Sequence, residues 1–436
     1  MDYQQQIKAL QDNPPGLEQL YRAAGRAGEA AAFEAALHQA YQSQPEHTLL
    51  AAWHYRLEAA APEGRVEPAG LRVNWPLAIL LSVINGLALG GLMLAPDAIS
   101  GPAPAFLLLW GPLVGLFLIA FLALDGRLPL RDVLVSALVL VALAAYAFFS
   151  ARSAGANQQY AVLMALHLPL LAGIAVIVSL LGLRSTADER FAVLSKALEV
   201  LITGGIYVGV GGILGMLTLG MFAALSVELP SRLVNVLFAA GGGLIPVLAV
   251  ATTYDPRLRP LQQRFEQGLG KVISTLLRLA LPLCLLVMLV YICVIPFNFM
   301  APFRNRDLLI VYNAMLFAVM ALLLGVTPAA ASSMSERQQK YLRAGIIAMT
   351  AMTLLVGLYA VSATAFRTAQ GGLTLNRLTV MGWNVINIAL LALLLVRQAR
   401  AGLERWLTAL HRTFSDGIFG YVAWTLFLIV ATPLIF

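Results

Sequence analysis

The amino-acid sequence predicts an all-α fold, a polytopic transmembrane helical bundle of about 11 spans preceded by a small cytosolic N-terminal helical hairpin. Three observations predict it. Of 436 residues, 60% are hydrophobic and 12% charged, about half the roughly 25% charge of a soluble domain. The apolar residues collect into stretches of about 20, enough to cross a hydrocarbon core about 30 Å thick. The Lys and Arg residues fall alternately into dense and sparse gaps between those stretches. Together these exclude an ordinary cytosolic enzyme and a disordered chain.

Residues 1–72 carry nine acidic and six basic residues and many alanines. One helix is predicted to start after Pro15 and to continue through Leu17, Leu20, Tyr21, Ala24, a tolerated Gly28, Phe33, Leu37 and Tyr41. A second follows Pro45, with Leu49, Leu50, Trp53 and Leu57 at helical spacing. A single hairpin buries little surface, so residues 1–60 are expected to pack on cytosolic loops, meet a second copy or recruit a protein partner. His38, His47 and His54 have spacings that prescribe no metal geometry; they are expected to be satisfied or exposed, and no metal or cofactor is assigned. This region lacks the apolar core of a signal peptide, so the first span is expected to serve as the targeting element.

Residues 73–436 form the transmembrane domain. Spans are predicted at 75–94, 103–124, 133–150, 160–183, 191–225, 233–253, 272–294, 308–326, 344–364, 379–396 and 418–433. The third and eleventh are short, and the fifth reads either as one tilted helix or as a span plus an interfacial turn, which leaves ten or twelve open. Gaps after the even-numbered spans, with nearby helix ends, hold 17 Lys or Arg, and gaps after the odd-numbered spans hold six. The positive-inside rule then places the N-terminus in the cytoplasm and, with eleven spans, the C-terminus outside. Arg257, Arg259, Arg264 and Lys271 are the densest basic group and are read as topology determinants, with anionic-lipid contact as the alternative. They lack the interleaved aromatics of a nucleic-acid site, so no nucleic acid is expected. Cys284 and Cys293 share one apolar run, which leaves neither a disulfide framework nor a metal quartet.

Several intramembrane positions stand out. Gly204, Gly205, Gly209, Gly211, Gly212, Gly215 and Gly220 make small-residue contact faces on span five. On span six, Gly241, Gly242, Gly243 and Pro246 read either as a helix break at membrane depth, as in transporter sites, or as close packing with a kink. Glu199, three residues after Lys196, is an ion-pair partner or a proton or ligand group. His167, near Pro169, is a hydrogen-bonded structural histidine or a titrating one. Asn85, Asn235, Asn384 and Asn387 are expected to face other helices. Between spans nine and ten, Arg367 and Arg377 flank Gly371, Gly372 and Asn376 on the side where few basic residues belong. They are candidates for holding an anion, whether a carboxylate of the protein, a lipid phosphate or a substrate.

The run of Leu358, Tyr359 and Arg367, then Gly372, Leu373, Thr374, Asn376, Arg377, Trp383 and Asn384, resembles the signature of a broad family of bacterial multi-pass membrane proteins classed as domains of unknown function. The resemblance implies a polytopic protein of the bacterial inner membrane and brings no catalytic residues or cofactor. Nucleophile-elbow, phosphate-loop and paired metal-histidine motifs are missing from the sequence. Transport, channel or lipid handling is therefore the leading expectation. A non-catalytic scaffold, assembly or sensory protein comes second, and an intramembrane enzyme third. Transport requires an enclosed polar cavity that reaches Glu199 or the Gly241 to Pro246 stretch.

Overall fold

A computed structural model describes residues 3–27, 30–60, 73–101, 103–153, 158–182, 184–265, 267–330 and 334–436. The chain divides into two compact units, Met1–Gly70 and Leu71–Phe436.

The first unit holds four helices, α1 (Tyr3–Ala9), α2 (Pro14–Ala27), α3 (Ala30–Ser43) and α4 (Thr48–Ala60). The expected single helix from Pro15 to Tyr41 is in fact α2 and α3. The Tyr21 and Phe33 ring centroids are 5.5 Å apart, whereas twelve residues of continuous helix would separate them by about 18 Å, so the chain doubles back between them. Residues 28–29 lie outside the described ones. The short α1 was not expected; its Tyr3 and Ile7, one turn apart, join Leu17, Phe33, Leu37, Leu50 and Trp53 in a shared core. The unit thus has an interior of its own, which a two-helix hairpin lacks. Arg56 and Arg22 both bond Glu18 and hold its carboxyl below the usual carboxylate range.

Among its described residues the second unit contains eleven helices long and apolar enough to cross a membrane, and the chain is a multi-pass membrane protein. They are α5 (Trp75–Leu92), α6 (Ala105–Gly126), α7 (Leu130–Arg152), α8 (Gln158–Leu181), α9 (Ala187–Ala224), α10 (Ser231–Thr253), α11 (Gly268–Val294), α13 (Arg306–Val326), α14 (Glu336–Gly371), α15 (Leu375–Ala401) and α16 (Trp406–Val430). A four-residue α12 (Ala301–Arg304) and α17 (Thr432–Ile435) complete the set. The fifth span is one helix of 38 residues, about 57 Å long. Thr186 and Glu189 start it as a reciprocal capping box, and Ser335 and Gln338 start α14 in the same way. The largest core cluster joins Leu316, Leu323 and Val326 of α13, Ile346, Met349 and Val356 of α14, and Leu391 of α15 to Trp406 and Leu410 of α16. A second links α6, α7 and α8 through Leu108, Leu140 and Leu168, and reaches Leu375 and Ile429.

The expected break in span six is absent: α10 runs uninterrupted through Gly241, Gly242, Gly243 and Pro246. The reason is contact with α5. A Cβ on Gly243 would lie 2.7 Å from Gly86 Cα, and one on Gly86 would lie 2.7 Å from the Ala240 carbonyl oxygen. The fully buried Asn85 donates through Nδ2 to the Gly243 carbonyl at 2.7 Å. That carbonyl is next to the one Pro246 deprives of its helical donor. The glycine face of α9 meets neighbours only at Gly204, beside Ala249 and Ile245, and at Gly215, beside Phe238; a Cβ at Gly205, Gly209, Gly211, Gly212 or Gly220 would touch nothing within 4 Å. At one end of the bundle, buried Asp125 accepts two bonds from Arg257, at 2.7 and 3.0 Å, and one from the Asn74 amide at 3.0 Å. The densest basic group is thereby tied in part to the protein itself.

Gly243→Val is expected to lower stability by about 1–3 kcal/mol through overpacking at Gly86. Gly241→Ala and Gly242→Ala, which meet no neighbour, should be neutral or stabilising by up to about 1 kcal/mol. Thermal unfolding in detergent separates the two; equal losses at all three positions would restore a special backbone requirement along the whole run.

Candidate functional site

The arginines singled out between spans nine and ten stand at a helix turn built to hold them. Gly372 has φ +76°, which favours glycine. The Thr374 side chain caps α15 by accepting from the Arg377 amide at 3.3 Å. The Arg377 guanidinium folds back to donate to the Gly372 carbonyl at 2.5 Å, and a Cβ on Gly371 would lie 2.9 Å from its Nη1. The turn and Arg377 are therefore one construction.

Two adjoining clefts open beside this turn and share Arg367 and Arg377. One, of about 340 Å³, is lined by Arg306, Asn313, Thr364, Arg367, Asn376 and Arg377 among others; the second, of about 600 Å³, adds Arg304, Phe303 and Phe366. Among the described residues no Asp or Glu lines either cleft. Arg304, Arg306 and Arg367 form no ion pair among the described residues, and the side-chain oxygen of Asn313 is buried without a hydrogen-bond partner there. The arrangement concentrates positive charge and planar bidentate donors in a space of headgroup size. Arg304 and Arg306 were not singled out from the sequence. The signal was present, since they too fall in a basic-poor gap. Of the six basic residues in such gaps, the other two are otherwise engaged: Arg152 pairs with Asp97, and Arg232 donates to the Leu94 carbonyl at 2.8 Å.

Deeper along α15 the polar candidates gather. Trp383 Nε1 donates to His167 Nε2 at 3.1 Å, and the opposite ring nitrogen of His167 lies 2.7 Å from the Leu163 carbonyl. Because indole N–H only donates and a carbonyl only accepts, His167 here is neutral with its proton on Nδ1. Both of its ring nitrogens are thus engaged, one with Trp383 and one with the Leu163 carbonyl. Tyr421 of α16, absent from the candidate list, donates to Asn387 Oδ1 at 2.6 Å and packs its ring 5.5 Å from that of Trp383. Asn384 is buried, and neither of its side-chain polar atoms has a partner among the described residues. It follows Arg377 by seven residues, about 10 Å along the helix. The structure thus joins Arg367, Arg377 and Asn376 in the clefts, and groups His167, Asn384 and Asn387 below them.

Glu199 lies elsewhere, paired with Lys196 at 2.8 Å; Lys196 also reaches the Thr253 carbonyl at 3.3 Å. Gly270 makes room for the carboxylate, since a Cβ there would stand 2.8 Å from Glu199 Oε1. The space beside it, lined by Ser195, Glu199, Gly270 and Thr327 among others, measures about 50 Å³, room for a few waters.

No family model, curated protein or solved structure matches this chain. The turn geometry accounts physically for Gly372, Thr374 and Arg377 of the stretch between α14 and α15.

Tyr421→Phe should cost about 1–2 kcal/mol by leaving the buried Asn387 oxygen without its donor. Trp383→Phe should cost a similar amount at His167. Both are read as lowered unfolding temperatures in detergent, and an unchanged midpoint in both variants would remove the buried bonds from the account of stability.

Proposed function

We propose that the chain is a multi-pass protein of the bacterial inner (cytoplasmic) membrane, with a cytoplasmic N-terminus and an external C-terminus, that handles anionic amphiphiles through the arginine clefts. Among the functions of the leading class, lipid handling is favoured over transport or a channel. The observation that carries this reading is the convergence of Arg304, Arg306, Arg367 and Arg377 on two clefts without a lining carboxylate. A guanidinium left unpaired at the end of a membrane bundle is suited to a lipid phosphate, which accepts two parallel bonds from it. The aromatic side, with Phe303 and Phe366 at a centroid distance of 5.5 Å, offers apolar surface to the first carbons of a chain beneath such a headgroup. The alternation of basic gaps supports this orientation, in which the clefts lie at the external end. The family resemblance supports the bacterial inner membrane.

A second reading, a membrane scaffold or sensor acting through residues 1–60, is favoured by the separate core of the N-terminal unit. It does not conflict with the first.

The test is lipid binding by purified protein, followed by native mass spectrometry and by competition in detergent micelles with phosphatidylglycerol, cardiolipin and phosphatidylcholine. The wild type should retain the anionic lipids preferentially. Arg367→Gln with Arg377→Gln should weaken that preference about tenfold or more, as expected for loss of charge-assisted bonds. Glu199→Gln should leave it unchanged. Equal retention of phosphatidylcholine and phosphatidylglycerol by the wild type would sink the proposal.

A further inference from the structure

Helices α3 and α4 bring two of the three N-terminal histidines face to face. Nδ1 of His38 and Nδ1 of His54 are 3.4 Å apart, with ring centroids 5.0 Å apart and planes inclined by 41°. Between two neutral imidazoles this contact is at best one N–H···N bond. The same separations suit a different chemistry. Two imidazoles on one tetrahedral metal ion at about 2.0–2.1 Å place their nitrogens about 3.3 Å apart and their ring centres about 5 Å apart.

The surroundings fit that chemistry as well. His38 Nε2 lies 2.9 Å from the Gln42 side-chain amide, one helical turn on. Turned by half a rotation, that amide presents its oxygen to the Nε2 proton. This is the outer bond that fixes a histidine tautomer for ligation through Nδ1. Tyr41 stacks on His54 at 4.2 Å and 17°, which holds the second ring in place. His47 is occupied elsewhere, with Nε2 3.1 Å from Asp12 Oδ1.

We propose that His38 and His54 form a two-imidazole site for a borderline divalent cation, Zn²⁺ first and Cu²⁺ or Ni²⁺ by the same ligand preference. Imidazole donors select these metals over Mg²⁺ and Ca²⁺, which take oxygen ligands. Among the described residues no group of three or more His, Cys, Asp or Glu is placed to hold a metal. With two imidazoles as its protein ligands among the described residues, the site binds more weakly than a four-ligand structural zinc. A bound ion cross-links α3 to α4 and stabilises the N-terminal unit in proportion to its occupancy. This site is independent of the lipid reading.

The experiment uses full-length protein without a polyhistidine tag, stripped with chelator in detergent and dialysed to equilibrium against Zn²⁺. About one ion per chain should bind saturably at roughly micromolar concentration. His38→Ala and His54→Ala should each weaken binding at least about tenfold, and His47→Ala should not. With Cu²⁺ as probe, electron paramagnetic resonance of the wild type should show two imidazole nitrogens on the metal. That measurement needs no variant to fold. Absence of saturable Zn²⁺ binding below about millimolar, fewer than two nitrogens on Cu²⁺, or an equal effect of His47→Ala would overturn the site.

Discussion

Inside a bilayer there is no water to accept a stray hydrogen bond, and an unmet polar group in hydrocarbon costs several kcal/mol. The second unit is arranged around that constraint. Backbone groups are closed within helices, and the polar side chains at depth are passed from one helix to another. Asn85 of α5 donates to α10, Trp383 of α15 to α8, and Tyr421 of α16 to α15. Each bond has its alternative in lipid rather than in water, so each also specifies which helices are neighbours. Apolar packing alone does this poorly, because lipid tails compete with leucine side chains on equal terms. Where α5 meets α10, glycine brings two backbones together and the asparagine fixes their register.

The same constraint sends charge to the helix ends, and there the two kinds of basic residue part company. Arg257 is consumed by Asp125, Arg397 by Asp416 and Arg152 by Asp97, so these serve the protein's own assembly. Arg343 spends its donors on Gln398. Arg304, Arg306 and Arg367 are not matched in this way, although they sit within one end of one bundle and repel one another. Like charges gathered without a counter-charge raise the energy of the isolated fold. An external anion offsets that cost, which is why the cluster reads as a binding feature and the paired arginines do not.

The eleven spans were legible because hydropathy is a local property: every predicted span overlaps one helix, and the boundaries move by a few residues except where polar or charged turns extend α14 back to Glu336 and, most of all, α16 back to Trp406. What depends on distant neighbours was not legible. Gly241 to Pro246 has the composition of a break, and only the presence of Gly86 and Asn85 about 155 residues earlier makes it a packing face instead. Tyr421 carries no local signal of its partnership with Asn387. In the N-terminal unit, Gly28 was compatible with a continuous helix, and only the meeting of Tyr21 with Phe33 shows that α2 and α3 are separate helices. Arg304 and Arg306 were within reach of the charge argument, but the gap that holds them has no distinctive motif to draw attention to it.

The motif between α14 and α15 joins the two roles that the sequence left as alternatives. Arg377 is an anchor, since one of its nitrogens holds the Gly372 carbonyl at 2.5 Å and so shapes the positive-φ turn. A guanidinium has five N–H donors, and this bond uses one. The anchoring bond restrains the fork, and Arg377 lines a cleft together with Arg367 and Asn376. Pre-orientation of that kind lowers the entropic cost of gripping an anion, because a long flexible side chain is already immobilised before the ligand arrives. Lysine at this position would keep the charge but lose the fork, and Gly371 would then lose the neighbour that a Cβ there would crowd. The glycines, the cap at Thr374 and the arginine are in this sense one device, completed within the protein, and the lipid proposal assigns its remaining donors to the anion.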